Sequence, residues 1–474
     1  MDTSHHHQLN KSLTLHDFNN SIEYFRRFGH VLEPRRWWIL LAFSLYNAGV
    51  TLAWSTYSAL TEVSERYFDI KQDQLLLFSD TVLYFGFFLS YIGCWLAFRF
   101  FKKAILGCFF LLMAGAWMRY LAGSHYGVTL AGQTLIGVVS APLFGFAMLI
   151  PDRWFSTKER FYVTTTALYS NYIGWALGYL LPCLIVGSEE KRIPLYTLLQ
   201  ALFMTLPFVI GIFFLEERPE IPPSYSAYVK ANDQSSVWEE LKALVKTPRF
   251  LASSLVFGLV LGISYSVSTV MSIFMAPLDI SYVHQGIIGS SYVISGMITG
   301  LVGTIWIGKR GLKTYDHIIK ILLTLSLLSL ISLGILFFVR KRPDWVSLFF
   351  CNCGLGIGLI GLTPFMCSSI VESTFPVQES LSVNGIYMLG QLLSILASHT
   401  GTSDVIGVGG FLFMAILMFP CWIYGVFFYN TDYRKLHADE GYQSSLENAS
   451  IKSIEIAQER EPVCPSTGKS TIAY

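Results

Sequence analysis

Few side chains in this sequence can do chemistry within its long apolar stretches. Asp80 is the main ionisable residue among them, and ionisable groups in hydrocarbon are costly and usually functional. It lies about five residues, or roughly 7.5 Å of helix, from the start of its apolar run. That depth predicts a water-exposed interfacial position and no buried relay for protons. Aromatic and amide groups remain. Trp54 and Tyr265 fall at comparable places in the two halves of the chain, so both can face one central cavity, where ring faces attract a cation by about 2 kcal/mol or more once it is desolvated. Taken alone, each reads first as a packing or lipid-facing residue. Gln391 offers an amide that can donate and accept, with interhelical bonding as the alternative.

Metal and enzyme chemistry find little support. Cys94, Cys108, Cys183, Cys351, Cys353, Cys367 and Cys421 lie in apolar runs and Cys464 in a polar tail, without disulfide or zinc spacing. Cys351 and Cys353 point to different helix faces, which predicts packing. Haem iron would need His, Cys, Tyr or Met ligands; His284, His399 and the Cys464-Pro465 pair are the candidates, and all three read first as loop or tail residues. No H-E-x-x-H, G-x-S-x-G or paired intramembrane carboxylate occurs, so neither an enzyme nor a bound cofactor is expected.

The elements that must position these residues are membrane helices. Of 474 residues, 53% are hydrophobic and only 14% charged, with mean hydropathy +0.49, whereas soluble domains carry about 25% charge. A net charge of +1 gives no field to steer a polyanion, which excludes nucleic acid. The first 30 residues are polar and lead into the first apolar run without a small-residue cleavage site, so no removable signal peptide is expected. Runs long enough to cross about 30 Å of hydrocarbon fall at 37–60, 75–98, 104–122, 128–150, 161–187, 193–215, 250–276, 284–307, 317–339, 345–371, 378–399 and 407–429. The predicted fold is therefore an all-α membrane protein of twelve transmembrane helices in two six-helix halves. A cytoplasmic arm (1–36) precedes the first half (37–215); a central loop (216–249), the second half (250–429) and a disordered cytoplasmic tail (430–474) follow. Within the loop, Val237, Trp238, Leu241, Leu244 and Val245 share one face, predicting an amphipathic helix on the membrane surface. Lys and Arg number 24 on the side of both termini against 8 on the other, which places the termini in the cytoplasm.

A six-plus-six arrangement resembles the major facilitator superfamily, with its site between halves near the midplane. After span two, the stretch Gly93 to Lys103 resembles the superfamily's loop motif, keeping Gly93, Leu96, Arg99, Lys102 and Lys103, with Phe98 in place of the acid. The stretch after span eight likewise has Gly308 where an acid is usual. Arg99, Lys102 and Lys103, with Glu372 and Glu379, are the gating candidates, although the three cations read equally as topology markers. A narrower resemblance is to the feline leukaemia virus subgroup C receptor-related family, associated with choline, ethanolamine and haem transport. It rests on Arg36-Trp37, Trp54, Tyr57-Ser58, Gln133, Trp154-Phe155, Asn171, Gly174, Gly178 to Pro182, Tyr265, Ser268-Thr269, Ser295 to Met297, Glu372, Glu379 and Gln391.

The resemblance implies that Trp54 and Tyr265 form a cage for a quaternary ammonium and that Gln391 meets the substrate's polar end. Asn171 and Gln133 join the candidate site. Tyr172 stands where the family has glutamine, and either extends the cage or narrows it. The expectation is a monomeric carrier of a small organic cation, choline or a related amine, acting by alternating access as a facilitator. The plasma membrane is favoured over a lysosomal or other internal membrane. A haem or pyridoxine-like vitamin carrier and a non-transporting receptor are the alternatives.

Overall fold

The computed structural model describes residues 32–219, 237–275, 278, 280–310, 315–339, 343–374, 377–401, 409–432 and 434. The arm before residue 32, loop residues 220–236, the tail with Cys464, and the side chains of His399 and Gly308 to Arg310 lie outside the described residues.

Among the described residues all regular structure is helical. In the first half the long helices are Arg35–Ser55, Gln72–Arg99, Phe101–Leu121, the pair Tyr126–Ser140 and Leu143–Trp154, Thr157–Ile185 and Ile193–Phe214. Those of the second half are Pro248–Met275, Tyr282–Arg310, Tyr315–Val339, Trp345–Leu355 continuing through a π-helical turn into Gly361–Thr374, Glu379–Gly401 and Gly409–Ile423. They are called spans one to twelve below. Among the described residues nine helices are long and apolar enough to cross a membrane, and the pair in span four, bent by 41°, makes a tenth crossing if counted as one. The bend falls at Pro142, a residue that cannot continue the backbone ladder. Spans five and eleven, Thr157–Ile185 and Glu379–Gly401, are also long helices, although they are not among those nine. They carry Asn171, Tyr172 and Gln391. This is consistent with twelve spans.

Two ends of the bundle can be distinguished. The proximal end carries Arg35, Glu379 and the central-loop helix; the distal end carries residues 56–71 and 186–192. The loop helix, Val237–Val245, buries Leu244 and leaves Trp238 and Val245 exposed. Its Glu240 accepts a hydrogen bond from the backbone of Gln378 at the start of span eleven, at 2.9 Å. Glu217, at the other end of the loop, accepts from the backbone N–H groups of Phe101 and Lys102 at 3.0 and 2.9 Å. Both carboxylates sit where helix N-termini present unpaired donors and a positive dipole.

Spans one and five pack closely. A Cβ on Gly174 would lie 2.0 Å from the carbonyl oxygen of Ala48, so only glycine permits the contact. Such small-residue contacts, together with interhelical hydrogen bonds, drive helix association in lipid. Asn171 Nδ2 donates to Asn47 Oδ1 at 2.8 Å, Asn47 Nδ2 to the carbonyl of Ala167 at 2.7 Å, and Thr51 to the carbonyl of Asn171 at 2.7 Å. This seam brings Trp54 and span five to one place.

The position of Asp80 departs from expectation. Its helix begins at Gln72, eight residues earlier, or roughly 12 Å at 1.5 Å per residue, and Asp80 is only 1% exposed. The hydropathy run begins at Leu75 because it omits the polar first turn of the helix. Tyr57, Phe68, Leu75 and Phe78 also pack together across the distal end, removing water from the region. Arg119, overlooked in the sequence, is a second buried charge at 2% exposure, its guanidinium 4.8 Å from the ring centre of Tyr57.

Candidate functional site

A cavity lies between the halves, lined by residues that include Thr51, Trp54, Ser140, Phe144, Asn171, Trp175, Tyr265 and Gln391. No residue that lines it is ionisable in the ordinary range, so any charge it holds must be met by ring faces, dipoles and hydroxyls.

Four of the six candidate binding residues meet there. Trp54, from span one, and Tyr265, from span seven, have ring centres 5.7 Å apart in an edge-to-face arrangement. Gln391 reaches in from span eleven and lies against Gly86 of span two, where a Cβ would come within 2.4 Å of its amide nitrogen. The missing side chain at Gly86 is what admits that amide. Two buried polar atoms of the lining residues have no hydrogen-bond partner among the described residues: Trp54 Nε1, a donor, and Gln391 Oε1, an acceptor. Buried polar atoms of this kind call for an explanation, and a ligand hydroxyl could serve both. Asn171 lines the cavity, yet its amide nitrogen is committed to span one.

The other two stand outside. Tyr172 is buried behind the wall, its ring 6.2 Å from that of Trp175 and nearly parallel to it. Gln133 is fully buried and donates to the carbonyls of Ala53 and Phe78 at 3.4 and 3.0 Å, tying spans one, two and four together.

Trp175 is the residue the sequence reading missed. Its ring centre is 5.2 Å from Trp54 and 5.7 Å from Tyr265, which closes the aromatic pair into a triangle. It follows Asn171 by four residues, hence on the same helix face, and that spacing was the available signal. Phe144 was missed as well. It stacks on Tyr387 of span eleven with ring centres 3.4 Å apart and an angle of 10°, forming the proximal floor. Asn384, one turn nearer the proximal end, donates to the carbonyl of Ser90 at 3.3 Å.

The gating candidates are scattered over the proximal surface. Lys102 pairs with Glu216 at 3.0 Å, Arg99 and Lys103 are exposed, and Glu372 and Glu379 are half-buried. His284 lies at the distal end of span eight, stacked on Trp345 with ring centres 4.4 Å apart and bonded to Ser281, away from the cavity. Asn352, between the two cysteines of span ten, donates to the carbonyl of Ile288 at 2.9 Å.

Comparison with known proteins supplies the frame for this geometry. The choline/ethanolamine transporter FLVCR2 of Rattus norvegicus is 24% identical over 388 residues, covering 77% of this chain and 68% of its own. FLVCR1 of Mus musculus, also a choline/ethanolamine transporter, is 26% identical over 470 residues, or 91% of this chain and 80% of its own. The choline/ethanolamine transporter flvcr2a of Danio rerio is 24% identical over 413 residues, or 82% and 85%. Residues 39–399 match the Major Facilitator Superfamily as a family. With long apolar helices arranged around a central cavity, that match establishes a multi-pass membrane transporter rather than an enzyme, and the chain belongs to the Major Facilitator Superfamily.

Proposed function

We propose that this transporter moves choline or a closely related amine by alternating access, binding its ammonium group among Trp54, Trp175 and Tyr265. The observation that carries the reading is the triangle of rings, all within 5.7 Å of one another, around a cavity lined by no carboxylate. Desolvated cations bind ring faces by about 2 kcal/mol or more, so a fixed negative charge is unnecessary. The unpaired Trp54 Nε1 and Gln391 Oε1 suit the hydroxyl of an amino alcohol, which both accepts and donates. The names of the relatives support the same substrate class.

In this reading the protein acts as a monomeric facilitator, since the cavity is complete within one chain. The proximal end faces the cytoplasm, as the charge bias predicts, and the plasma membrane is its site. The Phe144–Tyr387 stack is the cytoplasmic floor, while Lys102, Arg99, Lys103, Glu372 and Glu379 border the surface below it. Uptake of labelled choline by cells lacking endogenous choline carriers tests the proposal, with ethanolamine, pyridoxine and haem as competitors. Saturable choline uptake is expected. Uptake of haem or pyridoxine in its place would assign another substrate, and no uptake of any would favour a receptor.

A further inference from the structure

We propose that Trp175 sets the largest cation this carrier can occlude, and that Ser268 is the positioning residue that holds it in place. This rests on the organic-cation reading above and adds a size limit to it.

The three walls of the triangle are held differently. Trp54 Nε1 has no hydrogen-bond partner among the described residues, so its indole is restrained by packing alone. Trp175 is 1% exposed, and its Nε1 donates to Ser268 Oγ at 3.2 Å. Ser268 is itself clasped by Tyr179, whose hydroxyl donates to the serine carbonyl at 2.9 Å and also contacts its Oγ. Tyr292 and Tyr172 back the indole at ring distances of 6.0 and 6.2 Å. Rotating Trp175 away would break a buried hydrogen bond and leave its donor unmet, and it would have to displace two packed rings. One wall can therefore adapt to a ligand and one cannot.

The fixed wall is also assembled across the two halves. Trp175 and Tyr179 belong to span five, whereas Ser268 belongs to span seven. Both lie on the distal side of the cavity, one and two turns beyond Asn171. When the halves separate distally, as alternating access requires, the Trp175–Ser268 bond must open, and it forms again only on closure. Size is thus checked at occlusion rather than at entry. A cation slightly too large enters the open site and binds, but it prevents the bond from forming, so it inhibits without being carried.

Choline and its triethyl analogue, N,N,N-triethylethanolammonium, test this, because the charge and hydroxyl are shared and only the head size differs. Binding is read by competition with labelled choline, and movement by counterflow in proteoliposomes. The wild type should bind the triethyl analogue yet exchange it at least about tenfold more slowly than choline, the scale on which a tight pocket discriminates by methylenes. Trp175→Ala should carry the analogue and lose choline preference by a similar factor. Ser268→Ala keeps the indole but frees it, so it should shift the ratio in the same direction by a smaller amount, with Ser268→Thr restoring it. A merely structural role would depress both solutes together and leave their ratio unchanged.

Equal exchange of both solutes by the wild type, or an unaltered ratio in both Trp175→Ala and Ser268→Ala, overturns the proposal while leaving the choline reading intact. If choline neither binds nor exchanges in the wild type, the organic-cation reading fails, and the size limit falls with it.

Discussion

Replacing Trp54 with alanine gives the most direct measure of the aromatic triangle. Trp54 is 6% exposed, with ring centres 5.2 Å from Trp175 and 5.7 Å from Tyr265. Its removal has two separable consequences. Packing suffers, since each aromatic pair contributes about 0.5–1.5 kcal/mol beyond area burial, and the thermal midpoint of the empty protein should fall. Cation binding also loses one ring face, worth about 2 kcal/mol when desolvated, which is roughly thirtyfold in affinity. The two are resolved by comparing choline with 3,3-dimethylbutanol, a neutral molecule of the same shape. A looser site weakens both ligands alike, whereas a missing ring face weakens mainly choline. Titration of purified protein should show a strong choline preference in the wild type, an intermediate one in Trp54→Phe, and a largely collapsed one in Trp54→Ala. Equal binding of the two ligands by the wild type, or a preference unchanged in Trp54→Ala, would refute the cation–π assignment.

Gly86→Ala should push the Gln391 amide aside, because the added Cβ falls 2.4 Å from Nε2; loss of one neutral hydrogen bond of about 0.5–1.5 kcal/mol predicts a roughly two- to thirteenfold weaker choline affinity. Gln391→Ala should cost about the same, and the double variant little more; additive losses in binding titrations would separate the two residues. Asp80 is outside the cavity lining, so Asp80→Asn should retain choline uptake, and uptake should persist when the proton gradient is collapsed. Abolition of proton-driven accumulation by Asp80→Asn, with the protein still at the membrane, would replace the facilitator with a proton-coupled carrier. For topology, a tag at Gln234 should be reachable only after permeabilisation and one at Asp69 from outside; labelling of both from one side contradicts twelve spans.

Much of the architecture was legible because the bilayer imposes a length on apolar runs. The run 104–122 appears as Phe101–Leu121 and 317–339 as Tyr315–Val339. Hydropathy cannot report what happens at polar helix ends, and for that reason the first turn of span two was lost and Asp80 was set too shallow. Nor can it rank aromatic residues in a chain with 11 Trp and 25 Tyr. Trp54 and Tyr265 stood out through resemblance, whereas Trp175 needed the helix face of Asn171 to be followed by one turn. Gln133 and Asn171 show the opposite difficulty. A buried amide in a span reads as a ligand group, but the donors of these two are taken up by neighbouring helices, a pairing settled only by packing.

The floor of the cavity has a thermal consequence. Phe144 and Tyr387 meet face to face, so opening toward the proximal side wets two ring surfaces. Gates built from ion pairs at a surface are tuned by ionic strength; an apolar seam is nearly indifferent to it. Exposing apolar surface raises heat capacity, and the balance between closed and open floor should accordingly follow a curved temperature dependence, with the closed form losing its hydrophobic advantage on cooling. Temperature, more than salt, becomes the variable that governs how readily this carrier releases its load.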